Sequence, residues 1–404
     1  MAALGRPLFS DLKSQISNFK TQTAEGGHPP KECNMPERVV LTIGTKKGLF
    51  VAEGSKSRGK FSLRGPFGNG VPVYSSLIDT RGAPKVYASS CNPWFGMKML
   101  VSKDLGKSFK ETKSAPVFPK EDGRALANIW SIEPGTGKKD LWCGVEPASL
   151  FHSTDGGDSW ELVTGISNHE HARKWNPGNG GMCMHTIYRQ GNRVHLGISA
   201  GGHYLSEDGG KTFAAANNGV GAGFSPDPYP EFGQCVHKFA GHKDVPGRLY
   251  MQNHGGWSEW TGPGGSRPDI GVLRSDDHGH TWRSIAKGLP TDFGFPIVVH
   301  PHDPDVVYVM PLEPTTRTCP GGSPAVWRSE NGGDSWRKLA KGLPKKESFF
   351  TVQRDGMDFD NLKSPALYFG TTTGQLWIGR DGGEQWDCLF DSLPPIHCVK
   401  VAVV

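Results

Sequence analysis

One eight-residue stretch occurs six times in the chain and limits its possible folds more than any other feature. The clearest copy runs from Ser153 to Trp160 and reads Ser-Thr-Asp-Gly-Gly-Asp-Ser-Trp. The copies share the frame S-x-D-x-G-x-S/T-aromatic. The other five begin at Ser102, Ser206, Ser275, Ser329 and Gly379. Six copies in one chain indicate a repeat architecture whose period defines the structural unit.

The spacing of the copies predicts about fifty residues per repeat. The aspartate stands at positions 104, 155, 208, 277 and 381, and Asn331 replaces it in the fifth copy. The last copy departs further, with Gly379 and Gln385 in place of the hydroxyl residues. Counting back one period from the first copy reaches residues 54 to 59, between two strand-like segments. We therefore predict seven repeats, the first with a degenerate marker.

The repeated stretch resembles the Asp-box of the bacterial neuraminidase repeat, which occurs in sialidases, sortilin-type receptors, xyloglucanases and photosystem assembly factors. The resemblance implies a β-propeller in which each box is the turn between the third and fourth strands of a blade. It also implies that the aspartate accepts backbone N–H groups and that the aromatic residue packs between sheets. Because Asp and Gly favour tight turns and hydroxyls satisfy nearby backbone groups, the residue types agree with this role. The boxes then locate blades and carry no chemistry.

Three strand-like segments precede each box, with the alternation and turn residues of antiparallel strands. The predicted strands are Asn128 to Glu133, Asp140 to Val145 and Leu150 to Ser153 in blade three; Phe295 to His300, Val306 to Leu312 and Ala325 to Ser329 in blade six; and Phe349 to Gln353, Ala366 to Gly370 and Leu376 to Gly379 in blade seven. The first blade lacks an inner strand, and His397 to Val404 is predicted to supply it. We predict an all-β, seven-bladed β-propeller over residues 35–404, closed by this C-terminal strand so that no sheet edge is exposed. Residues 1–34 are predicted to be an irregular N-terminal extension.

Composition agrees with many short strands joined by turns, because the chain holds 55 Gly and 31 Pro. The 45 basic and 40 acidic residues are spread without blocks, so the net charge of +5 indicates neither a nucleic-acid nor a membrane partner. No apolar run reaches the roughly 18 residues of a membrane span, and residues 1–35 lack the apolar region of a signal peptide. The eight cysteines lie far apart, which favours a reducing compartment. These features predict a cytoplasmic protein, which we expect to be a monomer that binds a small ligand.

Three long loops interrupt the repeat pattern. They are Asn168 to Gly181, Gly219 to Phe232, and Gly255 to Ile270. Long loops at such positions either shape a binding face or are insertions without a function. In a propeller, the binding face is expected opposite the boxes.

Aligned ends of the second strands place four polar residues at one position on the expected binding face. They are Asn92, Glu146, His254 and Glu313. The two glutamates, three blades apart, would face each other across the channel mouth, as a general acid and base flank a substrate. His254 is a further candidate for proton transfer. The alternative is that each glutamate is a solvated loop carboxylate before a proline.

A repeated Gly-x-Cys-x-His segment predicts a metal site. It spans Gly181 to His185 at the inner strand of blade four and Gly233 to His237 at that of blade five. Alternation along a strand puts each cysteine on the same face as its histidine. The candidate ligands for zinc or a similar divalent metal are His185, His237 and His254, completed by Cys183, Cys235 or a glutamate. The alternative is that these residues are hydrogen-bonded in the core.

Sialidase activity is not expected from this chain. That chemistry needs an arginine cluster, a tyrosine nucleophile with a glutamate partner, and an acidic general acid. Arg189 and Arg354 are predicted at the exits of inner strands, on the box face, and no Phe-Arg-Ile-Pro segment occurs near the first blade. The chain more closely resembles bacterial propellers described as Asp-box or glycosyl-hydrolase-like repeat proteins, and this resemblance concerns fold rather than reaction.

Two functions remain open from the sequence. The first is a hydrolase or lyase, of glycosidase type or metal-assisted, that acts on a carbohydrate or other small ligand at the channel mouth. The second is a binding or assembly scaffold without catalysis. Ionisable and aromatic residues predicted on one face favour the first. The candidate substrate-binding residues are Asn92, Trp94, Trp130, Trp175 and Trp257.

Overall fold

The computed structural model describes residues 37–92, 94, 96–178, 180–256 and 270–404. Residues 37–404 form one compact unit, built from seven four-stranded antiparallel sheets. The first strand of each sheet contacts the first strands of both neighbouring sheets, so the sheets are blades arranged around a central channel. The predicted seven-bladed β-propeller is confirmed. The predicted extension, residues 1–34, lies outside the described residues.

Blades two to seven each use four strands that are consecutive in the chain, ordered outward from the channel. The strands are β4 (Ser76–Asp79), β5 (Lys85–Asn92), β6 (Gly96–Ser102) and β7 (Lys110–Glu111) in blade two; β8 (Asn128–Pro134), β9 (Leu141–Glu146), β10 (Ser149–Ser153) and β11 (Glu161–Leu162) in blade three; β12 (Met184–Gln190), β13 (Arg193–Ile198), β14 (Gly202–Ser206) and β15 (Ala214–Ala215) in blade four; β16 (Val236–His242), β17 (Val245–Asn253), β18 (Val272–Ser275) and β19 (Arg283–Ser284) in blade five; β20 (Gly294–His300), β21 (Asp303–Pro311), β22 (Val326–Ser329) and β23 (Arg337–Leu339) in blade six; and β24 (Met357–Phe359), β25 (Leu367–Gly370), β26 (Leu376–Arg380) and β27 (Gln385–Phe390) in blade seven.

Helices are few in the described part of the chain. One short α-helix, α1 (Thr164–Ser167), follows blade three. Three single-turn 3-10 helices are Lys120–Asp122, Pro320–Gly322 and Asp381–Gly383. None of the described helices is long and apolar enough to span a membrane.

Blade one joins the two ends of the described chain, as predicted. Its strands are β28 (Ile396–Val403), β1 (Arg38–Thr45), β2 (Gly48–Ser55) and β3 (Phe61–Phe67), with β28 innermost. The β1–β28 register runs from Val39 opposite Val403 to Thr45 opposite Ile396. At its end, Arg38 and Val404 exchange backbone hydrogen bonds of 2.8 and 2.9 Å. This pairing closes the ring.

The hydrophobic core is divided among the seven junctions between blades. Seven buried apolar clusters occur, and each combines residues from two neighbouring blades or from their connecting loop. The junction between blades seven and one, for example, packs Tyr368 and Ile378 against Val39 and Leu41. Each blade is therefore stabilised by both of its neighbours.

The inner strand of blade seven differs from the prediction. Phe349 to Gln353 was the predicted strand, but the strand that pairs with β25 is Met357–Phe359. The earlier segment runs through a loop that buries Phe350 and Val352 in the cluster between blades six and seven. Its alternating apolar residues thus pack as a loop. As a consequence, Arg354 precedes the inner strand instead of following it.

The repeated stretch forms the turn between the third and fourth strands in blades two to seven, as expected. In blade three, Asp155 accepts hydrogen bonds from the Ser153 hydroxyl, from the Ser159 hydroxyl, and from the backbone N–H groups of Asp158 and Ser159, at 2.6 to 2.9 Å. The hydroxyl of Ser159 and these other donors hold the Asp155 pKa well below its usual range. The Ser153 hydroxyl also accepts the N–H of Gly157, which has a φ of 88° that favours glycine.

The asparagine of blade six reproduces most of this arrangement. Asn331 Oδ1 accepts the Ser329 hydroxyl and the Ser335 N–H, both at 2.9 Å. Its Nδ2 donates to the Ser335 hydroxyl at 2.9 Å, where an aspartate would accept. The turn therefore requires the hydrogen-bond geometry rather than the charge.

Truncation after Pro395 tests the closure. Removing β28 leaves the inner edge of β1 unpaired and opens the cluster between blades seven and one, so we expect loss of the cooperative thermal transition. Removing residues 1–34 is the control and is expected to leave the transition in place. A truncated protein that melts as sharply as the full chain contradicts the closure.

The substitution Asp155→Ala tests the turn. It removes four hydrogen bonds to one ionised acceptor, and we expect the Tm to fall by roughly 1 to 4 °C, since such a loss costs on the order of 1 to 3 kcal/mol. The matched control is Asp158→Ala in the same turn, whose side chain forms an exposed ion pair with Lys113. Exposed pairs contribute little, so the control should melt within about 1 °C of the wild type. Equal shifts in both variants would refute the assigned role.

Candidate functional site

A cavity of about 500 Å³ opens on the face opposite the repeated turns. The loops that connect blades three through seven line it, together with the turns between the second and third strands of blades four, five and six. Two of the predicted long loops contribute, through Trp175 in one and through Phe224 and Phe232 in the other. Most of the third loop, residues 257–269, lies outside the described residues. The cavity is thus placed where a binding site was expected.

A thiol and two imidazoles meet at the wall of this cavity. The candidate ligand atoms of Cys235, His237 and His254 all lie within 4.8 Å of one another. His237 Nδ1 lies 2.6 Å from the Gly294 carbonyl oxygen. Because a carbonyl only accepts, Nδ1 carries the proton and Nε2 keeps its lone pair. The backbone N–H of His254 donates to the Cys235 carbonyl at 2.9 Å, which fixes the third ligand beside the other two.

Both imidazoles of this group are neutral at pH 7. Burial lowers the pKa of His237 well below its usual range, and the nearby Arg354 guanidinium lowers it further. Burial also lowers the pKa of His254 to about 4, with the positive charges of Arg317 and Arg354 adding to the effect. Metal ions bind the unprotonated imidazole, so both histidines are in the protonation state that ligation requires.

The third predicted histidine ligand, His185, is outside this group. It is buried, its Nδ1 lies 3.1 Å from the Thr186 hydroxyl, and its Nε2 is buried with no hydrogen-bond partner. Both His185 and His237 occupy the point where the inner strand changes register against the second strand. The two segments therefore have the same backbone design. They differ at the adjoining strand end, where the backbone N–H that donates to the cysteine carbonyl belongs to Ser199 in blade four and to His254 in blade five.

Cationic and aromatic side chains complete the cavity wall. Arg354 lines it, so the predicted place of this arginine on the face of the repeated turns is wrong. The reason is the shifted inner strand of blade seven, which puts Arg354 in the loop that enters that strand. Trp175 lines the cavity as predicted, and its indole N–H donates to the Tyr204 hydroxyl at 2.8 Å. The remaining charged and aromatic lining residues, which the sequence analysis missed, are Lys174, Phe224, Phe232, Phe293, Phe295 and Arg317.

One sequence signal would have located Arg354. In blades four, five and six, the inner strand and the second strand are separated by only two residues, as between Gln190 and Arg193. The predicted blade seven strands leave twelve residues between Gln353 and Ala366, whereas the observed strands leave seven between Phe359 and Leu367. A preference for the shorter connection favours the observed strand.

The two predicted glutamates do not line the cavity. Glu146 ends β9, and its Oε2 accepts the Trp130 indole N–H at 2.9 Å and the Asn128 amide at 3.4 Å. Its Oε1 lies against Gly181, where any side chain would collide with it. Glu313 is exposed in the loop after β21. Their roles as acid and base stay predictions.

Two further predicted aromatic residues, Trp94 and Trp130, also lie away from the cavity wall. Trp130 packs on Tyr74 with ring centroids 4.9 Å apart, and the Trp130 indole N–H donates to Glu146 Oε2. Trp94 is 88% exposed in the turn between β5 and β6, and its N–H donates to Asn92 Oδ1 at 2.8 Å. Trp257 lies outside the described residues. Stacking of these residues on a ligand stays a prediction.

A network of buried charges occupies the channel below the cavity. The Lys238 ammonium pairs with Asp355, and Lys400 contacts the same carboxylate at 3.1 Å and Glu133 at 3.7 Å. Burial opposes ionisation of Asp355, but the two lysines hold its pKa well below the usual range. Burial raises the pKa of the neighbouring Asp358 to about 6. These charges join blades one, three, five and seven across the channel.

No protein-family model and no curated protein matches this sequence. Among solved structures, it is similar to a GH74 xyloglucanase from Xanthomonas campestris, with a TM-score of 0.54 and 18% identity over 90% of this chain and 52% of that one. This chain therefore spans about half the length of that enzyme. Lower similarity is found to a GH74 enzyme from Niastella koreensis (TM-score 0.49, 15% identity, 88% of this chain and 67% of that one) and to YCF48 bound to a D1 peptide (0.48, 15%, 78% and 80%). The first likeness supports the β-propeller fold alone.

The raised pKa of Asp358 predicts a pH-dependent stability. A carboxyl whose pKa is about 6 in the folded protein and about 3.8 in the unfolded chain makes the free energy of unfolding fall as pH rises between these values. We expect Asp358→Asn to lack this fall, so its stability relative to the wild type should increase from pH 4 to pH 6.5 in urea unfolding. The exposed Asp334→Asn serves as the control. A constant difference between Asp358→Asn and the wild type across this range would show that the carboxyl is not perturbed.

Proposed function

We propose that this protein is a metal-dependent hydrolase or lyase. Its small ligand would bind in the cavity lined by Trp175, His254 and Arg354, which we call the mouth cavity, on the mouth face of the propeller opposite the repeated turns. The observation that carries the proposal is the group of Cys235, His237 and His254 at the cavity wall. One thiolate and two neutral imidazoles are ligands that zinc and related transition metals prefer.

The surroundings of the group support metal binding. A histidine that ligates a metal usually donates its other ring N–H to a carbonyl or carboxylate, which orients the ring. His237 has this arrangement through Gly294. Phe293 and Phe295 pack around the same imidazole, with ring centroids 5.6 and 4.7 Å away, and restrict its rotation. The ring is therefore held in place before a metal arrives.

The number of ligands favours a catalytic over a structural metal. Structural zinc sites are closed by four protein ligands, whereas catalytic sites have three and leave a position for water or substrate. The group contains three within the described residues, and it borders a cavity large enough for a small organic molecule. A metal there would act as a Lewis acid on a bound carbonyl or phosphoryl oxygen, or activate a water molecule.

A binding function without catalysis is the second candidate, because apolar side chains are exposed on the mouth face. Five of the six exposed large apolar residues in the described chain lie in loops on this face. They are Trp94, Val117, Phe224, Tyr229 and Phe349. Exposed apolar groups concentrated on one face are typical of interaction surfaces. In this case the purified protein would bind a partner but turn over no substrate.

Metal binding is tested with the metal alone. We expect the purified protein to bind about one zinc ion, and its cobalt form to show a thiolate-to-metal charge-transfer band. Cys235→Ser should abolish the band, and His254→Ala should lower zinc affinity at least tenfold, as loss of one of three ligands does. The control is Cys183→Ser, which changes the equivalent residue of blade four. Burial raises the pKa of the Cys183 thiol to about 12 and so keeps it protonated.

Metal content, the cobalt spectrum and zinc titration should be unchanged in that control. Protein that contains no metal and shows no zinc or cobalt binding would refute the proposal. Metal binding without turnover in a screen of ester, phosphoester and glycoside substrates would favour the binding function instead.

A further inference from the structure

The charges that line the mouth cavity are all positive. Lys174, Arg317 and Arg354 line it, and no aspartate or glutamate does so among the described residues. Lys174 is partly neutralised, since it lies 3.5 Å from Glu170. The two arginines give the cavity a positive potential that favours an anionic ligand.

Arg354 is the cation best placed to bind such a ligand. It is half-buried, and its guanidinium carbon lies 5.2 Å from the centre of the Phe295 ring. Its Nε is buried with no hydrogen-bond partner, and no carboxylate of the described chain lies within ion-pair distance of the guanidinium. The adjacent Asp355 is instead used by Lys238 and Lys400.

An arginine left in this state is costly for the protein alone. A half-buried charge has lost part of its hydration, and a buried N–H without an acceptor carries a further desolvation penalty. The lost hydration of the charge is compensated if a ligand supplies two oxygens in the plane of the guanidinium. Because one face of that plane rests on Phe295, the free edge is the part that can receive the ligand.

The other walls of the cavity indicate what the anion is attached to. Five aromatic side chains line it. They are Trp175, Phe224, Phe232, Phe293 and Phe295. Aromatic walls stabilise an apolar or ring-shaped body by burying its surface. A bare inorganic anion would bury little of this aromatic surface.

We propose that the cavity binds a small organic carboxylate, with the carboxylate on Arg354 and the ring or apolar body against the aromatic walls. This inference rests on the proposed function, because it names the class of ligand for the same cavity. The ligand would lie between Arg354 and the metal group formed by Cys235, His237 and His254. Both sets of residues line one cavity, so a reacting group attached to the carboxylate can reach the metal group.

Three probes with the same ring distinguish the chemistry. Benzoate has a carboxylate, phenyl phosphate has a phosphate, and benzyl alcohol is neutral. Binding is measured by isothermal titration calorimetry with metal-free protein, so that no probe can bind through a metal. We expect benzoate to bind, benzyl alcohol to bind at least tenfold more weakly, and phenyl phosphate to bind no more tightly than benzoate.

Variants assign the carboxylate to Arg354. Arg354→Gln should weaken benzoate binding at least tenfold, since it removes the charge-assisted hydrogen bonds to the carboxylate. Arg354→Lys keeps the charge without the planar fork and should give an intermediate loss. The matched control is Arg189→Gln, because Arg189 also stacks on an aromatic ring, Trp142, but does not line the cavity. Thermal melts verify that each variant is folded.

Unchanged benzoate binding by a folded Arg354→Gln variant would overturn the proposal, and so would equal binding of benzoate and benzyl alcohol. Tighter binding of phenyl phosphate than of benzoate would overturn the carboxylate assignment and indicate a phosphate ligand instead. The measurement is independent of the metal. Loss of the proposed metal function therefore leaves benzoate binding intact, whereas a protein that binds zinc but no benzoate refutes only the carboxylate inference.

Discussion

The pairing of β28 with β1 is the constraint on which the rest of the molecule depends. The core has no single centre, because its apolar clusters lie between blades, and each blade needs both neighbours to bury its faces. If the blades form in sequence order, the apolar faces of blades one and seven that pack on each other stay exposed until β28 pairs with β1. The reciprocal hydrogen bonds of Arg38 and Val404 complete the last junction. The channel and its mouth exist only in the closed ring.

Closure also determines what the channel contains. It brings Lys400 of β28 next to Asp355 of blade seven, which also pairs with Lys238 of blade five. Buried ion pairs of this kind add little net stability but strongly penalise any arrangement that separates them. They therefore fix the relative positions of the inner strands. With the channel occupied by charged side chains, the space for a ligand lies at the mouth, where the connecting loops are long.

The number and position of the blades could be predicted from the sequence because the turn that marks each blade is formed by residues close together in the chain. Every partner of Asp155 lies within four residues of it, so the hydrogen-bonded turn can be recognised from one short window. The inner strand of blade seven is a different case. The alternation in Phe349 to Gln353 fits both a strand and a loop with buried side chains, and only pairing with β25 decides between them. Because the inner strand was predicted too early in the chain, Arg354 was predicted on the face of the repeated turns instead of the face with the cavity.

The candidate metal group shows the same limit at the level of single side chains. Two Gly-x-Cys-x-His segments are equivalent in sequence, and both produce the same change of register in their inner strands. Alternation could pair each cysteine with its histidine, but it could not choose between the blades. The choice depends on a residue about twenty positions away in the chain, at the end of the second strand, where blade five has His254 and blade four has Ser199. One side chain on a repeated backbone thus distinguishes a blade with three candidate ligands from a blade with two. A propeller can acquire a site in this way without altering the turns and junctions that hold its blades together.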